Sequence, residues 1–472
     1  MRVTYNSRLA SDGVIEKIKR TGKFDGFTFA ARYDPCKSFF QKLQSVFHAA
    51  SRSAPNEINV AVTMSANFPG LSRTGERLER GHERTNLVTL CNKTDAPIFQ
   101  MLDPESLEPI GLATQTTLHP ALKGPGSAAH ARSDPVTGHV FNYNLDFGRT
   151  GTYRVFRVSA ATGQTSILAT ISYAPAYLHS LFLTENYVVL CIWNSLYRAG
   201  GLPILWHQNL LDAMTWDGSR PTTWFVVDKR PPEEGGKGVV AKFESEPFFS
   251  FHTINAYEDR SSAQDGTVDI VADIAAYENI DCISHFYLDN LISDSPAAKA
   301  YGDSSNTSAQ PNYRRFRLPS VPSTPTKKTL KAVAEYTSSK ADTPELPTLN
   351  PRVVTKKHRY IYGINGTGKS SFVDGLIKYD TETHSVTRWG IHGHTAGEPI
   401  FVADPASTEE DAGVLLSVVL DGVQGKSYLL VLDAKTMKEV GRAHVNGVIG
   451  FGFHGFHVKT DADVGGLNGL YL

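Results

Sequence analysis

No charge of one sign prevails in this chain: 47 Lys and Arg stand against 48 Asp and Glu over 472 residues, a net charge of −1. A nucleic-acid partner would leave a basic footprint, and this balance points to none. Cysteine is scarce. Cys36, Cys91, Cys191 and Cys282 are scattered and form no CxxC pair, which argues against a disulfide framework or a zinc ribbon and for a reducing compartment. Long apolar runs are missing too. None reaches the ~18 residues of a membrane span, and the opening MRVTYNSRLASDG has no signal core. These absences predict a cytoplasmic protein. Helical periodicity is also rare. The best stretch, DPCKSFFQKLQSVFHAA, puts Phe39, Phe40, Leu43, Val46 and Phe47 on one face and predicts an amphipathic helix over 34–50.

What the chain does have is a recurring hairpin. Five segments place a turn of Asp, Thr, Ser and Gly between strand-like runs: LDPESLEPIG from Leu102, SDPVTGHVFNY from Ser133, VSAATGQTSIL from Val158, YDTETHSVTRWG from Tyr379 and LDAKTMKEVGR from Leu432. Asx and Ser/Thr side chains bond their own backbone in such turns, and Gly supplies positive φ. The flanking runs, among them TYRVFRV, YVVLCIW and GVLLSVVLD, are β-branched and aromatic. Strand units repeating at tens of residues predict an all-β propeller in one domain over 1–472. Residues 293–350 are rich in Ser, Pro, Thr and Lys and are expected to form a loop or insertion over one face.

A competing motif lies at Gly363–Ser370, where GINGTGKS fits GxxxxGK[ST], and VLLSVVLD ends at Asp421 like a strand carrying a magnesium ligand. A phosphate loop needs a helix after the lysine. Asp374-Gly375 and the turn DTETH follow instead, so the context is antiparallel β and no nucleotide is expected.

Four histidines carry the chemistry. His130 in SAAHARSDP, His179 in AYLHSLFL, His252 in FFSFHTINAYED and His454 in GFGFHGFHV all lie among apolar, aromatic or small residues. A buried imidazole is costly unless both ring nitrogens find partners, and a shared metal ion would supply one for each. Their spacings of 49, 73 and 202 residues require a fold that brings distant strands to one axis. His392 and His394 have the same-face spacing of a chelating pair on a strand, but they sit in a polar, glycine-containing stretch and read as exposed loop residues. His457 is an odd offset from His454 and faces the other way on a strand.

HARSDPVTG, AYLHSLFLTENYVV, FHTINAYED, GEPIFVADPASTEEDAGVLLSVVLD and GFHGF resemble the motif blocks of the carotenoid cleavage oxygenases, and of the fungal members in particular. The likeness runs from about residue 85 to the C-terminus. It implies a seven-bladed propeller with a helical and loop dome, and one Fe(2+) held by His130, His179, His252 and His454. It also implies that Asp95, Glu345 and Glu398 accept the Nδ1 protons of some of these rings, which fixes tautomer and angle. Many members carry Glu at the Asp95 position, so the shorter side chain would need a closer backbone or a bridging water. Tyr177, Phe182, Phe251 and Phe453 are candidates to line a substrate tunnel.

The implied reaction splits one C=C bond of an apolar conjugated substrate, a carotenoid or apocarotenoid, with both atoms of O2 entering the two carbonyl products. The substrate supplies the electrons, so no NAD, flavin or oxoglutarate site is expected. Stilbene-cleaving relatives place a lysine directly before the acid that supports the histidine. Here Thr94 occupies that place and Lys93 precedes it, which favours the carotenoid class over a resveratrol-type stilbene. A propeller that binds or isomerises an apolar ligand without cleaving it is the other alternative. The stretch 34–50 could dip into a bilayer to collect such a substrate, a peripheral membrane contact. The family's opening strands have no counterpart here, and the expectation is a propeller incomplete at its N-terminus, with unpaired strand edges.

Overall fold

The computed structural model describes residues 5–22, 29, 54–79, 87–207, 209–260, 266–292, 295–301, 307–366 and 373–458. The stretch expected as the amphipathic helix over 34–50 lies outside the described residues, as does Cys36. Strands of alternating or wholly apolar character pair antiparallel with their sequence neighbours, and the result is a ring-type β architecture of six blades.

Blade 1 is built from Thr63–Ala66, Leu90–Lys93, Ile98–Leu102 and Pro109–Thr114. Blade 2 takes Gly126–Ser127, Arg132–Ser133, Val140–Asp146, Gly151–Val158 and Thr165–Tyr173. Blade 3 takes Phe182–Leu183, Tyr187–Ile192, Thr222–Asp228, Val239–Ser245 and Thr329–Lys331, the last paired parallel to Val239–Ser245. Blade 4 takes Phe249–Asp259, Thr267–Tyr277, Asn312–Pro322 and Val333–Thr337. Blade 5 takes Glu345–Thr348, Tyr360–Asn365, Gly375–Asp380 and Val386–Trp389. Blade 6 takes His394–Ala396, Ile400–Ala403, Gly413–Asp421, Lys426–Asp433 and Glu439–His444. A two-stranded ribbon, Ser195–Tyr197 with Met214–Trp216, stands apart.

Six blades correct the expectation of seven. Among the described residues no strand precedes Thr63. The described residues before it instead form a helix, Asp12–Thr21, and a turn at Pro55–Glu57. That segment packs on blade 1, where Gln100 Nε2 donates to the carbonyls of Ala10, Pro55 and Ile58.

The region 293–350 also departs from expectation, because it contributes the strands Asn312–Pro322, Thr329–Lys331, Val333–Thr337 and Glu345–Thr348 to blades 3, 4 and 5. In NYRRFRLPSVP, Tyr313, Phe316, Leu318 and Val321 are buried, while Arg315 and Arg317 meet carboxylates of the two preceding strands of blade 4. Arg315 forms two hydrogen bonds to Asp273, and Arg317 reaches Asp259 and Asp269. Paired charges made a core strand of blade 4 look like a loop.

The apolar layers lie between blades. Cys91, Phe99 and Met101 of blade 1 pack on Ala131, Val140 and Phe156 of blade 2. Leu346, Tyr362 and Ile364 of blade 5 pack on Phe401, Leu415 and Leu430 of blade 6. Gly363–Asn365, the start of the phosphate-loop string, lies inside a blade 5 strand that pairs antiparallel with Gly375–Asp380. Asp421 closes a hairpin turn by accepting from Val423 N and Gln424 N.

Candidate metal centre

Blades 2, 3 and 4 each deliver one histidine at or beside an inner strand, and the segment after blade 6 delivers the fourth. His130 precedes Arg132–Ser133, His179 precedes Phe182–Leu183, and His252 lies within Phe249–Asp259. The backbone joins them sideways, since His130 N donates to His179 O at 3.2 Å. One ligand atom from each of His130, His179, His252 and His454 lies within 4.8 Å of the others. Ring centroids are 4.8 Å apart for His130 and His179, and 4.3 Å for His130 and His454. Four imidazoles crowded to this degree would repel if protonated. Burial, followed by the neighbouring histidines, pushes His130 and His252 well below the usual imidazole value. Neutral imidazoles are what a metal ion requires.

Carboxylates stand behind three of the rings. Asp95, at the end of a blade 1 strand, takes His179 Nδ1 on Oδ1 at 2.8 Å. Its backbone is drawn in by Ser127 N, which donates to Asp95 O at 2.8 Å, and Ala129 N donates to its Oδ1. The closer backbone therefore offsets the shorter side chain, and the contact is direct. Tyr177 Oη donates to Asp95 Oδ2 at 2.9 Å, adding a second anchor. Glu345 Oε1 meets His252 Nδ1 at 2.5 Å. Glu398 Oε1 accepts from His454 Nδ1 at 3.0 Å while its Oε2 accepts from Gly455 N. An Nδ1–H given to a carboxylate leaves Nε2 as the ligand atom. His252 Nε2 is buried and has no hydrogen-bond partner among the described residues. The donor set and this orphaned nitrogen fit a metal ion.

An aromatic shell surrounds the cluster. Phe251 sits 5.7 Å from the His179 ring and touches Tyr177, Phe249 and Tyr277. Phe286, from the short helices that connect the second and third strands of blade 4, packs on Phe251 at 5.6 Å and on Phe453 at 6.3 Å. Nothing in the sequence distinguished Phe286 from the other 23 phenylalanines; its place depends on where Asp281–Ser284 and Leu288–Leu291 lie. Phe453 is 43% exposed. Phe182 stacks on Trp224 in the core instead of facing the histidines, as its odd offset from His179 requires. His394 is buried, bonds Tyr428 Oη through Nδ1 and faces Asp421, which corrects its reading as an exposed loop residue. His392 and His457 are exposed. Cys91, Cys191 and Cys282 are buried free thiols.

The model of the retinal pigment epithelial membrane protein family matches residues 1–459. A torulene dioxygenase of Fusarium fujikuroi is 41% identical over 477 residues, covering 97% of this chain and 81% of that protein. A carotenoid dioxygenase of Neurospora crassa is 40% identical over 493 residues, covering 97% and 79%. Among solved structures, a cobalt-substituted apocarotenoid oxygenase of Synechocystis superposes with a TM-score of 0.65 at 18% identity, covering 94% of this chain and 81% of that one. On the family model and on the 41% identity along nearly its whole length, this chain belongs to the retinal pigment epithelial membrane protein family, the carotenoid oxygenases.

Proposed function

We infer that the protein is a carotenoid-cleaving dioxygenase that holds Fe(II) on His130, His179, His252 and His454 and breaks one C=C bond of an apolar carotenoid or apocarotenoid. The observation that carries this is the convergence of four imidazoles from four separate parts of the fold, three of them backed by Asp95, Glu345 and Glu398. Four nitrogen ligands leave Fe(II) coordination positions at which dioxygen can be activated. The remaining work belongs to the chain. Phe251, Tyr177 and Phe286 keep water from the cluster and offer flat apolar faces to a polyene, which places one double bond and excludes the others. Burial holds the Tyr177 phenol well above its ordinary value, so it stays a neutral donor to Asp95.

The substrate class follows from Lys93. Its side chain is buried in the layer between blades 1 and 2, beside Cys91 and Arg132. It does not take the place that Thr94 leaves without a cation for a phenol hydroxyl. An apolar polyene therefore suits the site better than a hydroxylated stilbene. No described helix is long and apolar enough to cross a membrane, and peripheral contact remains the route we propose for collecting an insoluble substrate.

The test is metal analysis of the purified protein, with aerobic incubation against β-carotene, torulene, an apocarotenal and resveratrol. Bound iron with aldehydes from the carotenoids is the expected result. Aldehydes from resveratrol alone would replace this reading with stilbene cleavage. Stoichiometric iron without any product would replace it with a binding or isomerising propeller. His252→Ala should lose at least nine-tenths of its iron, and retention at the wild-type level would remove the ligand assignment.

A further inference from the structure

Arg132 is 6% exposed, two residues beyond His130, and no carboxylate of the described residues pairs with it. A buried guanidinium without a counter-ion is costly, and it persists only where acceptors satisfy its donors. Here all the acceptors belong to neighbouring ligand strands. Nε donates to Leu181 O at 2.9 Å, and one Nη donates to Thr253 O at 2.6 Å and to Thr253 Oγ1 at 2.5 Å. Leu181 lies two residues after His179, and Thr253 directly follows His252.

The same three strands are stitched by smaller groups. Thr253 Oγ1 donates to Leu181 O at 3.0 Å, Thr253 N donates to Ser180 Oγ, and Ser180 Oγ donates to Phe251 O at 2.8 Å. Ser180 and Thr253 are buried at 1% and 3% exposure, so these bonds do not compete with water. The belt joins blades 2, 3 and 4 and leaves out His454. That ring follows the last strand of blade 6 and is anchored through Glu398, which bonds its Nδ1, Gly455 N and Gly452 O.

We propose that Arg132 is a positioning residue whose planar fork sets the spacing of the His130, His179 and His252 strands. These three form a preassembled arc, and His454 completes the site from a separate anchor. A guanidinium suits this task because its donors are fixed in one plane, whereas an ammonium would satisfy the same carbonyls without measuring the distance between them. The inference rests on the metal reading above but concerns the chain's own geometry.

The test uses Co(II) as probe, added anaerobically to the metal-stripped full chain, with affinity from titration and coordination from the visible d–d spectrum. Arg132→Met is expected to weaken Co(II) binding by roughly 10–100-fold, the range for groups that orient ligands, and to alter the spectrum. Arg132→Lys should not restore either. Thr253→Val, which removes one hydroxyl, should give a smaller loss in the same direction. Val240→Ala, a core truncation in blade 3 away from the belt, should lower the melting temperature and leave Co(II) affinity unchanged. If Arg132→Met does not fold, Thr253→Val decides. Wild-type affinity and spectrum in folded Arg132→Met, or in Thr253→Val when that variant decides, would overturn the proposal. Wild-type protein that binds no Co(II) would overturn the metal reading itself.

Discussion

Lys93 is a charge placed where the fold gains nothing from it electrostatically. Burial pushes its ammonium down to about 8, below the value it has in an unfolded chain. Between pH 8 and the unfolded value, near 10.5, the native state binds fewer protons than the unfolded one. Stability therefore rises with pH across that window, and the cost is fully present below pH 8. Lys93→Met should stabilise the protein at pH 7 by on the order of 1–3 kcal/mol, with the gain fading as pH approaches 10.5. Urea melts of both proteins at pH 7 and pH 10 check it, and a pH-independent difference would refute the cause. The four histidines were legible because their neighbours are apolar. Their carboxylates were not legible from the residues alone, since nothing local ties Glu345 to a ring 93 positions away. Only the resemblance supplied them, and the direct Asp95 contact became visible once Ser127 and Ala129 were seen to draw that backbone in.

At the scale of the element, the first glycine of GINGTGKS, Gly363, acquires a packing reason. A Cβ on Gly363 would lie 2.5 Å from Glu345 O and 2.7 Å from Pro344 Cβ. The strand Tyr360–Asn365 thus approaches the strand that presents Glu345 too closely for any side chain at this position. Gly363→Ala should cost about 1–3 kcal/mol by overpacking, read from the urea midpoint at unchanged slope. It should also reduce iron retention, because the shifted backbone carries the carboxylate behind His252. Full stability in this variant would mean that the two strands can separate without penalty. The sequence pattern placed the neighbouring hairpin from Tyr379 correctly because its turn residues are local, with Asp380 Oδ1 accepting from Glu382 N and Thr383 N. It misjudged Asn312–Pro322 because the evidence for that strand is non-local: Arg315 and Arg317 look solvated until Asp273, Asp259 and Asp269 arrive from elsewhere.

For the whole molecule, repeated hairpins implied a propeller but could not count its blades. Blade number depends on which strand joins which sheet, and two adjacent strands show the difficulty: Thr329–Lys331 pairs with blade 3 while Val333–Thr337 pairs with blade 4. The metal centre spans most of that assembly. Blade 1 supplies Asp95, blades 2 to 4 supply His130, His179 and His252, blade 5 supplies Glu345, and blade 6 with its following segment supplies Glu398 and His454. An ion held there binds a native arrangement that the unfolded chain lacks, so loading must stabilise the folded state by mass action. At a free metal concentration 100 times Kd the gain is about 2.7 kcal/mol. Fe(II) or Co(II) under anaerobic conditions should therefore raise the melting temperature of stripped protein in a concentration-dependent way, and a chelator should reverse the shift. His454→Ala should keep part of the response through the remaining three rings, whereas His252→Ala should lose most of it, because His252 belongs to the arc joined by Arg132. Equal and complete loss in both variants would mean that no three-histidine arc is preassembled, and that the ion itself draws the ligands to the axis.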